Sequence, residues 1–564
     1  MHPSSPNSAN ETLVSRRNWL VLAASAGASI ASQTQAADSD KKPALSLELA
    51  AGARVYNIRD YGAKGDGKTV DTTAVQDAVD TCARERGGTV LVPAGDFVIG
   101  TVELKSNVRL YLSPQGRLLG TADIKHYSPG KGVPTSNGNV VLLYAASAEN
   151  ITVEGTGTVD GQGAKFYTGR GDNTGPGQKR EEGYVDRPHL IIFYRCKNLR
   201  VRDTFFTASA YHCMRILECR NVQLEAVRIH NRVNKNNDGF HIVSSEFVHI
   251  ANCDVACQDD ACALFGSNKF VTVTNCTFST RWSIFRFGGG EAENIVVSNC
   301  VIYETYGCAI KIRIGGGSRI ENVLFDNIIM RDVTGPISIG LDSTSHRASA
   351  SGEARAKGVV RNLMFRGIRA TVVAEGKTHA DLPFPSSFRP GETRTCIVLN
   401  GVGEDFLQDI TLSDVHITFE GGGTAEEAAR LKVPKMAGEY FELGTLPAYG
   451  LYARNVRGLT LKNVRFETTK PDLRPALLCD NVADLAATTF SAHGNPEADS
   501  VVRFINSKDA LLTGCRVLTP AATFLDVRGE DCASITVDGG DVSKAKTPVS
   551  FNEDARKDSV RLRI

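Results

Sequence analysis

The sequence lacks an excess of charge of either sign. Its 64 lysines and arginines nearly balance 63 aspartates and glutamates, so the formal net charge of the 564 residues is +1. A strongly basic face for nucleic acid is therefore not indicated by the total. With 42% hydrophobic and 23% charged residues, the composition is instead that of a globular protein.

The chain also lacks a long apolar run near its N-terminus that would anchor it in a membrane. The run at residues 21–31 is shorter than the ~20 residues of a permanent membrane span. Arg16 and Arg17 precede it, and a plausible signal-peptidase site follows at 34–38, a pattern that resembles a twin-arginine export signal. A disordered tail with two chance arginines is the alternative. We predict a signal peptide at 1–37, a linker at 38–53 and a periplasmic or secreted protein.

Paired CxxC spacing, which would make a cysteine zinc site credible, is missing from the cluster around Cys257. Three of the 14 cysteines, Cys253, Cys276 and Cys300, instead recur at intervals of 23 and 24 residues in the same Asn-Cys-x-apolar context. Residues at the same position of a repeat stack on one another. We therefore expect an inward ladder of buried thiols rather than disulfides or a metal site.

A short motif recurs from about residue 139 almost to the C-terminus. A polar residue, often asparagine as at Asn150, Asn198 and Asn221, is followed by alternating apolar and polar residues. The alternation predicts strands, and the repeat is shorter than a propeller blade of ~40 residues. The pattern predicts an all-β fold, a parallel β-helix solenoid that forms one domain over 54–564, with catalytic coils at about 139–345.

An amphipathic pattern that begins near Asp71 predicts a short helix capping the N-terminal end of this solenoid. The wider intervals between later copies of the motif predict long loops. We place these at 163–187, 343–358, 374–393 and 420–445, where polar, glycine-rich or proline-rich stretches occur. Long loops on a rigid solenoid commonly build its binding cleft.

Acidic residues recur at the interval of the repeat. Asp238 lies in Asn-Asn-Asp-Gly, and about one coil later come Asp259 and Asp260. Stacked carboxylates could supply the acid and the base of glycoside hydrolysis, because close packing of like charges raises one pKa. Asp238 could equally be a turn residue and the pair a solvated corner. Adjacent aspartates reach one cleft only if a bend lies beside them.

Basic and aromatic residues follow on the next coils. Arg281 and Trp282 come one repeat after the aspartate pair, and Lys311 and Arg313 come next, two residues apart and therefore on one face of a strand. Trp282 could stack on a sugar ring or serve as a core aromatic. The nearby histidines (His212, His230, His241 and His249) are expected to be structural.

Three motifs together carry a family resemblance. The segments 236–239 (Asn-Asn-Asp-Gly), 258–260 (Gln-Asp-Asp) and 311–313 (Lys-Ile-Arg) resemble the Asn-Thr-Asp, Asp-Asp and Arg-Ile-Lys motifs of glycoside hydrolase family 28, the polygalacturonases. The likeness covers about residues 55–345. It implies a right-handed β-helix that hydrolyses pectic polymers with inversion. The family's Gly-His-Gly histidine has no counterpart, and Arg281 or Trp282 occupies its neighbourhood.

The resemblance also implies roles for individual residues. Asp259 would be the general acid, and Asp238 and Asp260 would position and deprotonate the attacking water. The expected substrate-binding residues are Asn236, Arg281, Trp282, Lys311 and Arg313. No cofactor or metal is expected.

The function predicted from the sequence is that of an exported, polygalacturonase-like glycosidase. Its substrate would be a uronic-acid-containing, pectin-type polysaccharide or oligosaccharide, cleaved by acid/base inversion. We expect a monomer without nucleic acid and without lasting membrane insertion. Two alternatives stay open: a polysaccharide lyase on the same fold, with Ca²⁺ on the clustered aspartates, and a non-catalytic carbohydrate-binding β-helix.

Overall fold

The structure, a computed structural model, describes residues 54–134, 140–166, 187–344 and 356–563. Within these ranges the chain forms 39 β-strands and three α-helices. The pairings between these strands are parallel, and each strand pairs with its equivalents one coil before and one coil after. The fold is thus the predicted right-handed parallel β-helix. None of the helices in the described ranges is both long and apolar enough to span a membrane.

The strands, in chain order, are β1 (Val55–Asn57), β2 (Asp66–Val70), β3 (Gly88–Val92), β4 (Gly95–Ile99), β5 (Val102–Glu103), β6 (Val108–Leu112), β7 (Gly116–Gly120), β8 (Val141–Ala146), β9 (Glu149–Glu154), β10 (Thr158–Asp160), β11 (His189–Tyr194), β12 (Lys197–Arg202), β13 (Phe205–Thr207), β14 (Met214–Leu217), β15 (Arg220–Glu225), β16 (Arg228–Asn231), β17 (Phe240–Val243), β18 (Glu246–Ala251), β19 (Asp254–Cys257), β20 (Cys262–Phe265), β21 (Lys269–Thr274), β22 (Thr277–Thr280), β23 (Ser283–Gly288), β24 (Glu291–Thr305), β25 (Cys308–Gly315), β26 (Arg319–Val333), β27 (Ile337–Asp342), β28 (Val359–Val372), β29 (Ile397–Gly401), β30 (Leu407–Phe419), β31 (Leu451–Thr468), β32 (Leu477–Thr488), β33 (Ser491–Ala492), β34 (Val502–Ile505), β35 (Lys508–Val517), β36 (Ala521–Arg528), β37 (Ala533–Asp541), β38 (Ala545–Asn552) and β39 (Val560–Arg563). The α-helices are α1 (Thr72–Arg84), α2 (Ala425–Ala429) and α3 (Tyr440–Leu443), and single 3-10 turns occur at Ile58–Tyr61, Ile124–His126, Gly163–Phe166, Pro390–Glu392 and Lys557–Ser559.

Three parallel sheets form the walls of the solenoid. The sheet that matters for function, which we call the first sheet, includes β11, β14, β17, β20, β23, β25, β27 and β29. Every second residue of its strands points inward, so Phe240, Cys262, Phe285 and Ile310 pair in successive coils and are buried. The residues between them point outward and form the surface beside the candidate site.

Asparagines turn the corners between sheets. Asn150, Asn198 and Asn221 have φ values of 57°, 54° and 58°, in the left-handed region that asparagine tolerates better than most residues. Their side-chain amides bond from coil to coil, at 3.0 Å between Asn198 and Asn150 and 3.2 Å between Asn221 and Asn198. The asparagines that mark the sequence repeat are therefore corner residues.

The cysteines lie inside the solenoid. All 14 fall within the described ranges, where each is buried and none forms a disulfide. The backbone N–H of Cys253 donates to Sγ of Cys276 one coil away, over 3.4 Å. The expected ladder of buried thiols is confirmed.

Helix α1 covers the N-terminal end of the core, as its pattern predicts. Its buried face consists of Ala74, Val75, Ala78, Val79 and Cys82. Asp71 is the N-cap residue, but its carboxylate does not bond to the helix. It accepts hydrogen bonds from the backbone N–H groups of Lys64 and Gly65 at 2.7 and 3.0 Å and so fixes the chain just before β2.

Two long connections pack near the outer surface of the first sheet. The connection between β28 and β29 contains one 3-10 turn, and the one between β30 and β31 contains α2 and α3. The second was predicted only as a loop. Thr424 and Glu427 close a capping box that starts α2, which is why a helix forms there. The predicted signal peptide and most of the predicted loops at 163–187 and 343–358 lie outside the described residues.

Candidate active site

The three aspartates lie in turns that lead into the first sheet. Asp238 precedes β17, and Asp259 and Asp260 form the turn between β19 and β20. The backbone N–H of Gly239 donates to the carbonyl of Asp260 over 2.9 Å, which places Asp238 beside Asp260 on the neighbouring coil. The N–H of Asp260 donates to Oδ1 of Asp259 over 2.9 Å. This turn supplies the bend that two adjacent aspartates need to face one site.

Asn237 holds the turn that carries Asp238. Its side chain is fully buried, and its Oδ1 accepts two backbone N–H groups of its own turn at 3.0 and 2.7 Å. Its Nδ2 donates to two backbone carbonyls of the preceding coil, both at 2.9 Å. These four bonds use the full capacity of an amide. The asparagine that replaces the family's threonine is therefore a structural residue.

Two histidines flank Asp238. The Nδ1 of His241 lies 2.7 Å from Oδ2 of Asp238, and Nε2 of His212 lies 3.6 Å from the same oxygen. The two imidazole rings stack with centroids 4.5 Å apart. Burial, reinforced by nearby groups that include Arg215, holds the pKa of each histidine well below its ordinary value. Neutral imidazoles thus contact the acid cluster.

Both histidines were expected to be structural, and their contact with Asp238 was not predicted from the sequence. The pairing of strands in neighbouring coils is the signal that reveals this contact. Met214 pairs with Phe240, and His212 and Asp238 each lie two residues before that pair. The interval between them is 26 residues rather than 23, so the histidine aligns with Asp238 only once the actual pairing is known.

The same three residues form a potential metal-ligand group. One atom from each of His212, Asp238 and His241 lies within 4.8 Å of the others. In the structure, however, Nδ1 of His241 is already hydrogen-bonded to the Asp238 carboxylate. The neighbouring guanidinium of Arg215 adds positive charge that disfavours a cation. The arrangement fits a hydrogen-bonded acid better than an ion site.

The environments of the three carboxyl groups differ. Burial and the charge of Asp260 raise the pKa of Asp259 to about 7. Burial raises the pKa of Asp238 well above its ordinary value, with both other aspartates adding to the effect. Burial also raises the pKa of Asp260, but Arg286 and Lys311 oppose this rise. The same two cations also lower the pKa of Asp259, but there the opposing charge of Asp260 has the larger effect, so Asp260 is the acid whose ionised form is best supported.

A polar cavity of about 430 Å³ opens beside Asp259. Four of the predicted site residues line it: Asn236, Asp259, Arg281 and Trp282. Lys235, Gln258, Arg389 and residues 384–387 complete its wall. Asp238 and Asp260 are not among the lining residues and are only 4% and 7% exposed. Asp259 is thus the member of the acid cluster that faces the cavity.

Glu439, next to α3, forms ion pairs with two cationic residues of the first sheet. Its two carboxylate oxygens accept from Arg286 and Lys311, each at 2.7 Å. Burial alone would raise the pKa of Glu439, but Lys311 and Arg286 lower it to about 2. Arg313 donates to Glu442 over 2.9 Å. The structure therefore brings Lys311 and Arg313 to the site region but pairs both with carboxylates of the chain itself.

Arg281 is likewise paired. It is buried, and its guanidinium donates to Glu392 over 3.0 Å and to the carbonyl of Tyr306 over 2.6 Å. Its neighbour Trp282 is half-buried, and Nζ of Lys311 lies 4.1 Å from the centroid of the indole ring. Trp282 therefore stands between the cavity and the buried Lys311. The acidic partners of Arg281 and Lys311 are more than 100 residues away in sequence, so no motif could reveal them.

The clustered carboxyl groups beside a polar cavity on this β-helix are the groups that a glycoside hydrolase requires, a general acid and a base. The profile of glycosyl hydrolases family 28 matches residues 82–383, which is more than half of the chain. The chain belongs to this family, and it is a polygalacturonase-like glycosidase.

Individual relatives agree with this assignment. A probable polygalacturonase of Arabidopsis thaliana is 27% identical over 330 residues, which are 56% of this chain and 71% of that protein. Two solved structures share the fold. A hyperthermoactive exopolygalacturonase from Thermotoga maritima aligns with a TM-score of 0.55 at 20% identity, covering 76% of this chain and 96% of that one. A family 28 exopolygalacturonase of Yersinia enterocolitica aligns with a TM-score of 0.59 at 19% identity, covering 77% and 78%.

Replacing Glu439 with glutamine should destabilise the protein. The change leaves two buried cations without their shared carboxylate, which typically costs about 3–5 kcal/mol. Because the pKa of Glu439 is lowered from 4.5 to about 2 on folding, its contribution is present above pH 4.5 and is lost as the pH falls through about 2. Urea unfolding of the wild type and of E439Q should therefore differ at pH 6 and converge near pH 2.

The matched control is Glu404→Gln. Glu404 also pairs with a lysine, Lys357 at 3.4 Å, but its side chain is 93% exposed. Since exposed ion pairs contribute little, this variant should unfold like the wild type at both pH values. Equal unfolding of E439Q and E404Q at pH 6 would contradict the assigned role of Glu439.

Proposed function

We propose that this family 28 enzyme hydrolyses glycosidic bonds of a uronic-acid-containing, pectin-type polysaccharide or oligosaccharide with inversion at the anomeric carbon. The observation that carries the proposal is the placement of Asp259. It faces a sugar-sized polar cavity while two further carboxyl groups lie directly behind it. Family membership supports the substrate class.

Asp259 acts as the general acid. A leaving glycosidic oxygen needs a proton at the moment its bond breaks, and a carboxyl group with a pKa of about 7 still carries one at the pH where most enzymes work. Asp259 reaches the cavity wall, so the proton can pass to a sugar bound there. The acid thus gains its function from burial and from the adjacent Asp260.

Asp260 acts as the general base, with Asp238 positioning the attacking water. The nearby Arg286 and Lys311 favour the ionised form of Asp260, which a base requires. Asp238 is hydrogen-bonded to His241 and remains protonated more readily, so it is suited to orient water rather than to remove its proton. Water attack from the face opposite the leaving group inverts the anomeric centre.

The remaining predicted residues shape the sugar site. Asn236 and Trp282 line the cavity beside Asp259, and a half-buried indole can stack on a sugar face. Arg281 also lines it, but its guanidinium is fixed by Glu392 and two carbonyls, so it serves to hold the connection between β28 and β29 in place. Lys311 and Arg313 hold Glu439 and Glu442, and with them the connection between β30 and β31, against the first sheet.

Asp259→Asn should abolish turnover while the protein stays folded. Loss of a general acid typically lowers the rate by about 10²–10⁴-fold, and asparagine has nearly the shape of aspartate. Asp254→Asn is the control, since Asp254 is an exposed residue of the same coil. The release of reducing ends from polygalacturonate measures the activity of both variants. NMR of the first product formed by the wild type reports its anomeric configuration. A fully active D259N, a retained configuration or an unsaturated product that absorbs ultraviolet light would each contradict the mechanism.

The pH profile of kcat/KM should fall above about pH 7. The pKa of Asp259 is raised from 3.8 to about 7, so its proton is present below that value and is lost above it. On the acid side the rate should fall where Asp260 becomes protonated, at a pH above the ordinary aspartate value. A profile that stays flat from pH 6 to 9 would rule out Asp259 as the acid.

We further propose that the enzyme is exported and works as one solenoid domain over 54–564, with the signal at 1–37 and the linker at 38–53. The consecutive arginines Arg16 and Arg17, followed by a short apolar run, support this localisation. Replacing both arginines with lysine should leave the protein in the cytoplasm of a bacterial host, as fractionation would show. A variant with Lys42→Gln in the linker should be exported like the wild type. Equal export of the double-lysine variant would contradict a twin-arginine route.

A further inference from the structure

The cations that the family motif supplies are not free in this chain. Lys311 and Arg286 share Glu439, and Arg313 holds Glu442. Lys311 is 5% exposed and Glu439 is 8% exposed, so this pair is closed to solvent, whereas the side chain of Arg313 is 33% exposed but bonded to Glu442. A carboxylate of a sugar could reach Lys311 or Arg286 only by displacing Glu439 from two hydrogen bonds of 2.7 Å, and it would compete with Glu442 for Arg313.

The cavity beside Asp259 nevertheless has two cationic residues in its wall, Lys235 and Arg389. Within the described ranges neither forms an ion pair with an acidic side chain, unlike Arg281 in the same wall, which pairs with Glu392. They come from different parts of the chain. Lys235 lies in the turn that carries Asp238, and Arg389 lies in the connection between β28 and β29.

In the part of the chain that the structure describes, both residues are held in place without an acidic partner. The backbone carbonyl of Lys235 accepts a hydrogen bond from Arg187 over 2.6 Å, which fixes the start of its side chain. The guanidinium of Arg389 lies over the ring of Phe441, 4.2 Å from the centroid. Stacking of this kind orients a guanidinium plane while its N–H groups stay available for a planar carboxylate.

We propose that Lys235 and Arg389 recognise the carboxylate of the uronic acid bound beside Asp259, in place of Lys311 and Arg313. This inference rests on the proposed function and identifies the residues that give the cavity its preference for an acidic sugar. Arginine can bind a carboxylate through two parallel N–H···O bonds. Lysine adds a point charge from the turn that carries Asp238. The internal pairing of the motif cations with Glu439 explains why recognition needs other residues.

Binding to an inactive background tests the proposal without turnover. In D259N, the dissociation constants of an oligogalacturonate and of its methyl ester are measured by calorimetry, because the ester removes the charge and keeps the sugar. Adding Lys235→Gln or Arg389→Gln should weaken binding of the free acid by about 10-fold each. Binding of the ester should change by less than about 3-fold, so the preference for acid over ester should fall.

The control is Lys68→Gln in the same background, which removes an exposed lysine of β2 far along the chain from the site. It should bind both ligands like D259N alone. An unchanged acid-to-ester ratio in the K235Q/R389Q double variant would overturn the proposal, as would an equal loss of affinity for acid and ester. Circular dichroism spectra that match D259N show that the variants are folded.

The outcome is separable from that of the proposed function. If the wild type hydrolyses no uronic-acid-containing glycan but the double variant loses its preference for the free acid, the hydrolase proposal fails and the recognition residues stand. If the wild type hydrolyses oligogalacturonate and the double variant keeps its preference, the hydrolase proposal stands and the recognition proposal fails. In the second case, loss of the preference in Lys311→Gln would assign recognition to the motif cation.

Discussion

Parallel pairing from coil to coil is the constraint on which the rest of the molecule depends. Because each strand bonds to its equivalent in the next coil, a side chain has a partner of the same orientation above and below it. This rule stacks the thiols inside, the asparagines at the corners and the acids of the site. It also explains why the long connections lie between strands and not inside them: an extra residue in a strand would turn its inward face outward.

The second requirement is a balance of buried charge. Three carboxyl groups on two neighbouring coils repel one another when ionised, and they lie between Arg286 and Lys311 on one side and neutral imidazoles on the other. Two buried cations next to one ionised aspartate would in turn leave uncompensated positive charge. Glu439 supplies the missing negative charge from a distant connection. Because the charge of Glu439 also raises the pKa of Asp260, it limits how strongly these cations favour the ionised form of that aspartate.

Much of the fold could be predicted from the sequence, because strand alternation and the asparagine repeat are local signals. The same holds for Asp238, Asp259 and Asp260, whose spacing of about one coil survives in the structure. What the sequence could not reveal are contacts across connections of irregular length. Nothing near Lys311 signals that Glu439 is its partner, and the varying coil length hid the alignment of His212 with Asp238.

Arg281 and Trp282, where the chain departs from the family motif, both take part in these distant contacts. Arg281 is anchored to Glu392 and so ties the catalytic coil to the connection that also carries Arg389. Trp282 lies against Lys311, whose charge Glu439 has already compensated. Arg281, which stands in the neighbourhood of the motif histidine, therefore anchors the connection that forms one wall of the cavity. The departure from the motif near residue 281 and the connection after residue 372 thus belong to one arrangement, because Arg281 bonds to Ser387 and Glu392 of that connection.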